Sequence, residues 1–251
     1  MMKKIKMLRL MSYNIRFGGR GREERIAEVV NKADVGLVVL QEATDPEVVA
    51  RLSKLTNMPH YAAKVKHSVG FLSRDPVVGH EWKYDKHLER AVLEIDIGNI
   101  RVLGVHLRAT HSNYTERGRM REVRAILEFA KKYEGDCHVM VGDFNTLAPG
   151  ELLDMQKLPT RYKILAFLLG GRITFRAIKL MIDAGYVDCY RKFHTDRGFT
   201  FPAWDPHVRL DYLFAPAKFA DSVQSCSVMT DIDRPEKATD HLPLLAELSL
   251  A

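Results

Sequence analysis

Long hydrophobic runs are absent from this sequence of 251 residues. A membrane-spanning helix needs ~18 or more consecutive apolar residues, and no segment approaches that length, which excludes an integral helical membrane protein. The three cysteines, Cys137, Cys189 and Cys226, are odd in number, far apart and without CxxC spacing. They support neither a disulfide framework nor a cysteine zinc site, and we therefore expect a reducing compartment.

We expect no cleavable leader and no repeated or low-complexity segment. The first residues, Met-Met-Lys-Lys, resemble the charged start of a secretory signal, but Lys6 and Arg9 interrupt the apolar stretch after them and no small-residue cleavage site occurs. Apolar residues make up 46% of the chain and charged residues 28%, which are the proportions of an ordinary globular protein. We therefore expect one cytoplasmic domain that spans residues 1–251.

Acidic residues are missing from one stretch of the chain. Between Asp154 and Asp183 there is none, whereas six basic residues lie there and equal the formal net charge of +6. They are Lys157, Arg161, Lys163, Arg172, Arg176 and Lys179. We expect a basic helical insertion near 155–182, made of two short helices separated by the Gly-Gly pair at 170–171. Such a charge run is typical of a solvated helix face, but it also suits a surface that meets nucleic acid backbone or, through 157–182, an anionic membrane surface.

Apolar segments alternate between strand and helix patterns along the chain. Strand patterns are short apolar runs, and helix patterns place apolar residues three and four positions apart. We predict strands at 7–15, 35–40, 69–73, 91–97, 100–107, 137–142, 208–215, 222–229 and 243–250. We predict helices at 22–33, 46–57 and 114–134. The order of strand, loop, helix and strand at the start predicts an α/β fold.

Polar side chains that can perform chemistry fall at or beside the ends of these apolar segments. They are Asn14, Glu42, His106, Asp143, Asn145, Asp211, Asp240 and His241. Strand ends are where an α/β scaffold points several side chains into one crevice. The shared position is more informative than any one residue, since a lone Asp, Asn or His is more often structural. Oxygen donors with imidazoles and without thiolates suit a hard cation such as Mg²⁺.

Six short motifs that contain these residues occur in a distinctive order. They are Ser12-Tyr13-Asn14-Ile15, Leu40-Gln41-Glu42, Val105-His106-Leu107, Gly142-Asp143-Phe144-Asn145, Arg209-Leu210-Asp211-Tyr212 and Thr239-Asp240-His241. In order and spacing they resemble the motifs of the endonuclease/exonuclease/phosphatase superfamily over residues 8 to 248. That superfamily includes deoxyribonuclease I, exonuclease III-type abasic-site endonucleases, neutral sphingomyelinases and inositol polyphosphate 5-phosphatases. The resemblance implies a four-layer α/β sandwich, two mixed β-sheets packed face to face with helices outside.

The resemblance also implies metal-dependent hydrolysis of a phosphate ester by direct attack of water. Asp143 would orient and deprotonate that water, and Glu42 would ligate Mg²⁺, or Mn²⁺ in its place, whose charge stabilises the negative charge developing on phosphate. Asn14 would help the metal or bond a phosphate oxygen as a neutral donor. Asp240 cannot easily pair with the His241 ring, because neighbouring residues of an extended segment point to opposite sides, so its role would be near the metal.

The histidines and the remaining polar residues would act on the phosphate. His241 resembles the family histidine that contacts the scissile phosphate as a cation or proton donor, with Asp211 as the partner that fixes its ring. His106 resembles the second histidine of the deoxyribonuclease-like members, a phosphate contact or acid. Asn145 would also bond the phosphate. Backbone phosphates of a nucleic acid would be contacted by the arginines near the crevice, namely Arg16, Arg20, Arg22 and Arg108.

A few positions depart from the family pattern or allow two interpretations. Many abasic-site endonucleases carry an acidic residue two positions after the first Asn, where this chain has Arg16. This difference argues against a dedicated abasic-site repair enzyme and against a second metal site. Asp188 is expected to be a structural cap. The segment 199–204 either packs, with Phe199 and Phe201 in the core and Trp204 under a loop, or offers aromatic surface on which bases stack.

Three functions fit this set of residues. The sequence favours a nuclease that cleaves DNA or RNA, because a locally positive segment accompanies a phosphoesterase site. The alternative is a sphingomyelinase-like phospholipid phosphodiesterase, or a phosphatase of small phosphorylated molecules. In the lipid version, the apolar run 164–169 would lie in a membrane interface together with Phe175, Ile178 and Met181. A non-catalytic phosphate-binding domain is the third possibility.

Overall fold

The structure is a computed structural model that describes residues 6–109, 113–151, 157 and 175–250. Two mixed β-sheets, each of six strands within these residues, form the centre of the molecule. The strands are β1 (Met7–Asn14), β2 (Leu37–Gln41), β3 (His60–Ala62), β4 (Val69–Ser73), β5 (Gly79–Lys83), β6 (Val92–Asp96), β7 (Arg101–His106), β8 (His138–Asp143), β9 (Tyr186–Asp188), β10 (Asp211–Pro216), β11 (Val223–Val228) and β12 (Leu244–Ser249). The helices are α1 (Glu23–Ala33), α2 (Pro46–Leu55), α3 (Asn113–Ala130), α4 (Ala177–Asp183) and α5 (Cys189–Phe193).

Each sheet, as far as it is described, contains one pair of parallel strands connected by a helix. In the first sheet, ordered β11-β12-β1-β2-β4-β3, β1 and β2 run parallel and α1 connects them. In the second, ordered β5-β6-β7-β8-β10-β9, β7 and β8 run parallel and α3 connects them. Asn14 lies beside Gln41 in register, and His106 lies beside Asp143. The carboxyl ends of both parallel pairs therefore carry predicted site residues.

The two sheets pack face to face through a shared apolar core. Val39 and Phe71 contribute to it from the first sheet, and Leu93, Val141 and Leu213 contribute from the second. The outer face of the first sheet packs against α1 and α2, and the outer face of the second packs against α3 and α4. The predicted four-layer α/β sandwich is confirmed.

The sequence explains why these elements form. Every residue of β2 is buried, as its unbroken apolar run predicts for a strand covered on both faces. Helix α2 begins after Asp45, whose side chain accepts a hydrogen bond from the Glu47 backbone N–H at 3.1 Å, and Pro46 occupies its first turn. Helix α1 places Ile26 and Val30 on its buried face, four residues apart as an amphipathic helix requires.

Short elements are the ones that the sequence did not predict. Strands β3 and β9 have three residues each and α5 has five, so none is long enough to show a period. Strand β5 is as long as β2, but its sequence Gly-His-Glu-Trp-Lys contains no apolar run. Helix α3 ends at Ala130 and residues 131–133 form a 3₁₀ turn, whereas the prediction extended the helix to 134. The tighter turn leads into Gly135, whose φ is +108°.

The basic segment lies mostly outside the described residues. The apolar run 164–169 and the Gly-Gly pair fall within 158–174, so the predicted pair of helices stays a prediction. In the described part, α4 buries Ile178 and Met181 fully in the core beneath the second sheet. Their assignment to a membrane interface is therefore wrong. None of the described helices has both the length and the apolar character needed to cross a bilayer.

Gly142 brings β7 and β8 into close approach immediately before Asp143. Its φ is +148°, and a Cβ atom there would lie 1.9 Å from the backbone oxygen of Val105. We expect Gly142→Ala to lower the free energy of unfolding by about 2 kcal/mol or more, because steric overlap adds to the strain of a positive φ. Chemical denaturation measures this change, and the displaced Asp143 should reduce activity in the same variant.

Gly79→Ala is the matched control for this prediction. Gly79 also belongs to a strand of the second sheet, and a Cβ atom there meets nothing within 4 Å. The control should keep nearly the parent stability. An equal loss in both variants, or no loss in Gly142→Ala, would contradict the close approach of β7 and β8.

Candidate active site

The carboxyl ends of the two parallel pairs meet where the sheets lie against each other. Asn14 ends β1, and its Nδ2 donates to Glu42 Oε1 at 3.3 Å and to Asp143 Oδ2 at 3.1 Å. Glu42 directly follows β2 of the first sheet, whereas Asp143 ends β8 of the second. One amide group therefore joins the two sheets, in a position where both Asn14 and Asp143 are 1% exposed.

Glu42 is held by the loop that follows β1. Its backbone is left-handed, with φ +57°, and its Oε2 accepts a hydrogen bond from the Phe17 N–H at 2.6 Å. Asn14 Oδ1 accepts one from the Arg16 N–H at 2.9 Å. The side-chain nitrogen of Asn14 points toward both carboxylates, so Asn14 holds Glu42 and Asp143 in position. Its direct contact with a metal stays a prediction.

His241 lies between two buried carboxylates. Strand β10 pairs with β8 so that Asp211 lies beside Asp143. His241 Nδ1 is 2.9 Å from Asp211 Oδ2, and its Nε2 is 3.8 Å from Asp143 Oδ2. Burial alone would lower the pKa of His241, but the charges of Asp211 and Asp143 outweigh it and raise the pKa to about 10. The imidazole is therefore a cation at neutral pH.

His106 points at the same carboxylate oxygen but carries no charge. Its Nε2 is 3.7 Å from Asp143 Oδ2, and its Nδ1 is 2.6 Å from the hydroxyl of Ser68. Burial lowers the pKa of His106 well below its usual value, and the nearby positive charges of Arg90 and His241 lower it further. The charge and hydrogen bond of Asp211 raise the pKa of His241 despite its burial, whereas burial and two neighbouring cations determine the low pKa of His106.

Asp143 has the electrostatic setting of a general base. Burial raises the pKa of its carboxyl group to about 7, against the opposing effect of the His241 cation and with a further rise caused by Asp211. A general base is most effective when its pKa lies near the working pH. The Asn145 backbone N–H donates to Asp143 Oδ1 at 2.8 Å and fixes the orientation of the carboxylate.

Asn145 and Arg108 lie just beyond the ends of β8 and β7. Asn145 Nδ2 donates to the backbone oxygen of Leu107 at 3.1 Å. Arg108 Nε lies 3.3 Å from Glu122 Oε2 and 3.8 Å from Glu89 Oε2. Both side chains thus have protein partners, and their contact with substrate phosphate stays a prediction.

Arg16 and Asp240 form an ion pair at the rim of the site. Arg16 Nε lies 3.2 Å from Asp240 Oδ2, with side chains that are 40% and 18% exposed. Arg22 behaves differently, since its guanidinium donates to the backbone oxygens of Ile15, Arg16 and Ala238. These three bonds hold the loop after β1, and the contact of Arg22 with nucleic acid phosphate stays a prediction.

The oxygen donors of the site fit a hard divalent cation. Among the described residues, Asp143, Asp211 and His241 bring ligand atoms within 4.8 Å of one another, a cluster that could hold a metal ion. Asp211 Oδ1 is buried there without a hydrogen-bond partner, which marks a lone pair that a cation or donor can use. The sequence placed the metal at Glu42 instead. The His241 cation already balances charge within the cluster, which favours Glu42 as the metal ligand.

Two residues that support the site, Arg209 and Ser68, were assigned no role from the sequence. Arg209 is fully buried, lies 2.7 Å from Asp188 Oδ2 and also pairs with Glu151. Asp188 also accepts from the Tyr190 N–H at the start of α5, so it is a structural cap as expected. Ser68, the partner of His106, gave no signal because a single serine before an apolar strand is common.

The aromatic segment 199–204 is partly packed and partly exposed. The Phe201 ring centroid lies 5.0 Å from that of His241. Trp204 is 56% exposed, so the expectation that it packs under a loop is wrong. The Ala203 N–H donates to the backbone oxygen of Asp240 at 2.8 Å, which fixes this segment beside the site.

Because the pKa of Asp143 is raised, replacing its carboxyl group by a neutral amide should stabilise the folded protein. The size of this gain should depend on pH. A carboxyl group whose pKa is higher in the folded state stabilises folding fully below its unfolded pKa, near 3.8, and loses that contribution as the pH rises through about 7. We therefore expect Asp143→Asn to raise the Tm over the parent by an amount that grows between pH 4 and pH 7, measured calorimetrically in EDTA.

Asp233→Asn is the control, because Asp233 is an exposed carboxylate. Its Tm difference from the parent should stay nearly constant over the same pH range. A constant Tm difference for Asp143→Asn as well would show that Asp143 is not desolvated in the folded protein.

Solved structures share this fold at low sequence identity. The 3′ phosphatase NExo from Neisseria, bound to product DNA hairpin, is 16% identical with a TM-score of 0.72, over 96% of this chain and 99% of that chain. An AP endonuclease from Archaeoglobus fulgidus is 18% identical with a TM-score of 0.73, over 95% and 98%. Truncated TDP2 from Caenorhabditis elegans is 19% identical with a TM-score of 0.64, over 97% and 98%. These similarities establish the fold alone.

The sequence itself matches a family profile across most of its length. No curated protein matches the sequence. Residues 11–241, however, match the profile of the Endonuclease/Exonuclease/phosphatase family, and this range begins within β1 and ends at His241. The chain therefore belongs to the endonuclease/exonuclease/phosphatase family of phosphoric ester hydrolases.

Proposed function

We propose that this protein is a Mg²⁺-dependent nuclease that hydrolyses phosphodiester bonds of DNA. The observation that carries the proposal is the surroundings of Asp143, a buried carboxylate with a pKa of about 7. It lies 3.8 Å from the cationic His241 and 3.7 Å from the neutral His106. A base beside a fixed cation suits attack of water on a phosphate diester, in which negative charge develops on phosphate.

Each side chain has a task that follows from its charge. Ionised Asp143 accepts a proton as water attacks phosphorus, so that a new P–O bond forms while the ester P–O bond breaks. The His241 cation stabilises the phosphate oxygen that gains negative charge, and Asp211 keeps its ring in place. Neutral His106 offers a hydrogen bond to phosphate without adding charge. The leaving oxygen takes up a proton from solvent water, and Asp143 returns its proton to solvent, which completes the step.

A divalent cation would add positive charge to this set of residues. Glu42 would hold it, with Asp240 nearby and Asn14 fixing the position of Glu42. When bound, Mg²⁺ stabilises the negative charge on phosphate and on the leaving oxygen. Because Arg16 already pairs with Asp240, we propose that the site uses one metal ion, with Arg16 supplying a further positive charge beside those of the metal and His241.

DNA is proposed as the substrate on the basis of charge and of structural neighbours. Neighbours in fold include an AP endonuclease and a 3′ phosphatase bound to product DNA. The positive charge at the rim is accessible to a phosphate backbone, since the Arg16 side chain is 40% exposed. The phosphatase neighbour favours a second candidate activity, the removal of a phosphate from a DNA 3′ end. Synthetic DNA with a 3′-phosphate distinguishes this activity from internal cleavage.

Nicking of supercoiled plasmid tests the assigned roles. We expect nicking with Mg²⁺ and none with EDTA. Asp143→Ala should lower the rate by about 10²–10⁴-fold, the usual contribution of a general base. Glu42→Ala should be partly restored by raised Mg²⁺, because a lost ligand weakens metal affinity. Asp233→Ala, a change at an exposed carboxylate, should nick at the parent rate.

Two results would contradict this assignment. Near-parent nicking by both site variants would show that the site residues are misassigned. Failure of the parent to nick plasmid, together with hydrolysis of a simple phosphodiester dye, would keep the chemistry but remove DNA as the substrate.

Salt dependence tests the contact with nucleic acid backbone. Binding that neutralises three phosphates should weaken by about 40-fold between 50 mM and 200 mM salt, because counterions are released. Arg16→Gln should reduce the slope of log Kd against log salt by about one. Arg25→Gln is the control, since Arg25 pairs with Glu28 on the outer face of α1. Salt-independent binding would contradict a nucleic acid substrate.

A further inference from the structure

The loop after β1 presents an aromatic side chain to solvent. Phe17 is 79% exposed, although burial of a phenylalanine is favourable. Its φ is +48°, a left-handed conformation that residues with a side chain rarely adopt. Exposure and backbone strain at one residue beside an active site are characteristic of a binding role.

The loop that carries Phe17 is fixed by hydrogen bonds. Four consecutive residues, Arg16 to Gly19, have φ between +48° and +74°. The Gly18 N–H donates to the Glu42 backbone oxygen at 3.0 Å, and the Gly19 N–H donates to the Arg16 backbone oxygen at 3.1 Å. The Arg22 guanidinium donates to the same Arg16 oxygen and to the backbone oxygen of Ile15. The ring is therefore presented by a rigid turn, which reduces the entropy lost when a ligand binds.

Phe17 lies directly beside the groups that would act on phosphate. Its N–H bonds the Glu42 carboxylate, and the guanidinium carbon of Arg16 lies 5.4 Å from its ring centroid. Arg16 precedes Phe17, and Gly18-Gly19-Arg20-Gly21-Arg22 follow it, so the loop offers one flat ring among cationic groups. An apolar patch that could enter a membrane would need further apolar side chains.

We propose that Phe17 is a stacking platform for a nucleobase next to the scissile phosphate. The inference rests on the proposed nuclease function and specifies how that site holds its substrate. A ring among arginines matches a base joined to phosphate, because the ring meets the π-face and the guanidinium groups meet the anion. Every base has such a face, so the contact holds a nucleotide without selecting its sequence.

A cycle of substitutions in protein and DNA tests the proposal. Binding of fluorescent single-stranded oligonucleotides is measured by anisotropy in the Asp143→Asn background, which prevents cleavage, with and without EDTA. One nucleotide at a time is replaced by an abasic analogue. Phe17→Ala should weaken binding of the normal oligonucleotide by about 5- to 150-fold, the range measured for one stacked base. One position of the oligonucleotide should carry the base that stacks on Phe17. When that base is missing, Phe17→Ala and the parent should bind the oligonucleotide with equal affinity.

Three further variants isolate the aromatic contact. Phe17→Trp should retain the affinity, because a larger π-face stacks equally well, whereas Phe17→Leu keeps an apolar side chain and should lose it. These variants keep the same strained backbone, so their Tm values should match the parent. Tyr61→Ala removes another exposed aromatic residue, on the edge strand β3, and should bind as the parent does.

The outcomes separate this inference from the proposed function. If the parent binds and nicks DNA but Phe17→Ala or Phe17→Leu binds equally well, the stacking role is overturned and the nuclease stands. If the parent neither binds nor cuts any oligonucleotide, the proposed function fails and the inference fails with it. Sedimentation with anionic vesicles that Phe17→Ala abolishes, without any change in oligonucleotide binding, would also overturn the stacking role and point to lipid.

Discussion

The hydrogen bond from Asn14 to Asp143 couples the polar ends of the two sheets, and the arrangement of the site depends on it. Elsewhere the sheets meet through apolar side chains, whose attraction has no preferred direction. The hydrogen bond from Asn14 to Asp143, at 3.1 Å, is directional and orients the two sheets relative to each other at the site. The Thr239 hydroxyl donates to the backbone oxygen of Asn14 at 2.8 Å and thereby connects the segment that carries His241. Because catalytic geometry tolerates little displacement, a site built across two sheets requires such directional contacts.

The charges in the site are balanced within a small buried volume. Asp143 and Asp211 are each 1% exposed, and two buried carboxylates side by side would be strongly unfavourable without a cation. His241 supplies it, while burial and the charges of Arg90 and His241 keep His106 neutral. The two imidazoles of the site therefore differ in charge, one being a cation paired with Asp211 and the other a neutral ring.

The sequence predicted the fold and the members of the site better than it predicted their contacts. Unbroken apolar runs identified β2, β7 and β8 because buried parallel strands have that composition. Motif order then placed Asn14, Asp143 and their partners at strand ends. The contacts of Arg22 and Ser68 could not be predicted, because an arginine that binds carbonyl groups and one that binds phosphate have the same local sequence. Strands of three residues were also missed, since they carry no period.

The position of β12 in the first sheet has a consequence for the order in which the protein can be built. β12 lies between β11 and β1, so β1 lacks a neighbour on one side until residues 244–249 have been synthesised. Strands β5 to β8 pair with partners near in sequence and can form earlier. His241 and Asp211 are also among the late residues. A nascent chain that has not yet reached His241 therefore lacks the cation of the site, and residues 244–249 must follow before β1 has a neighbour on both sides.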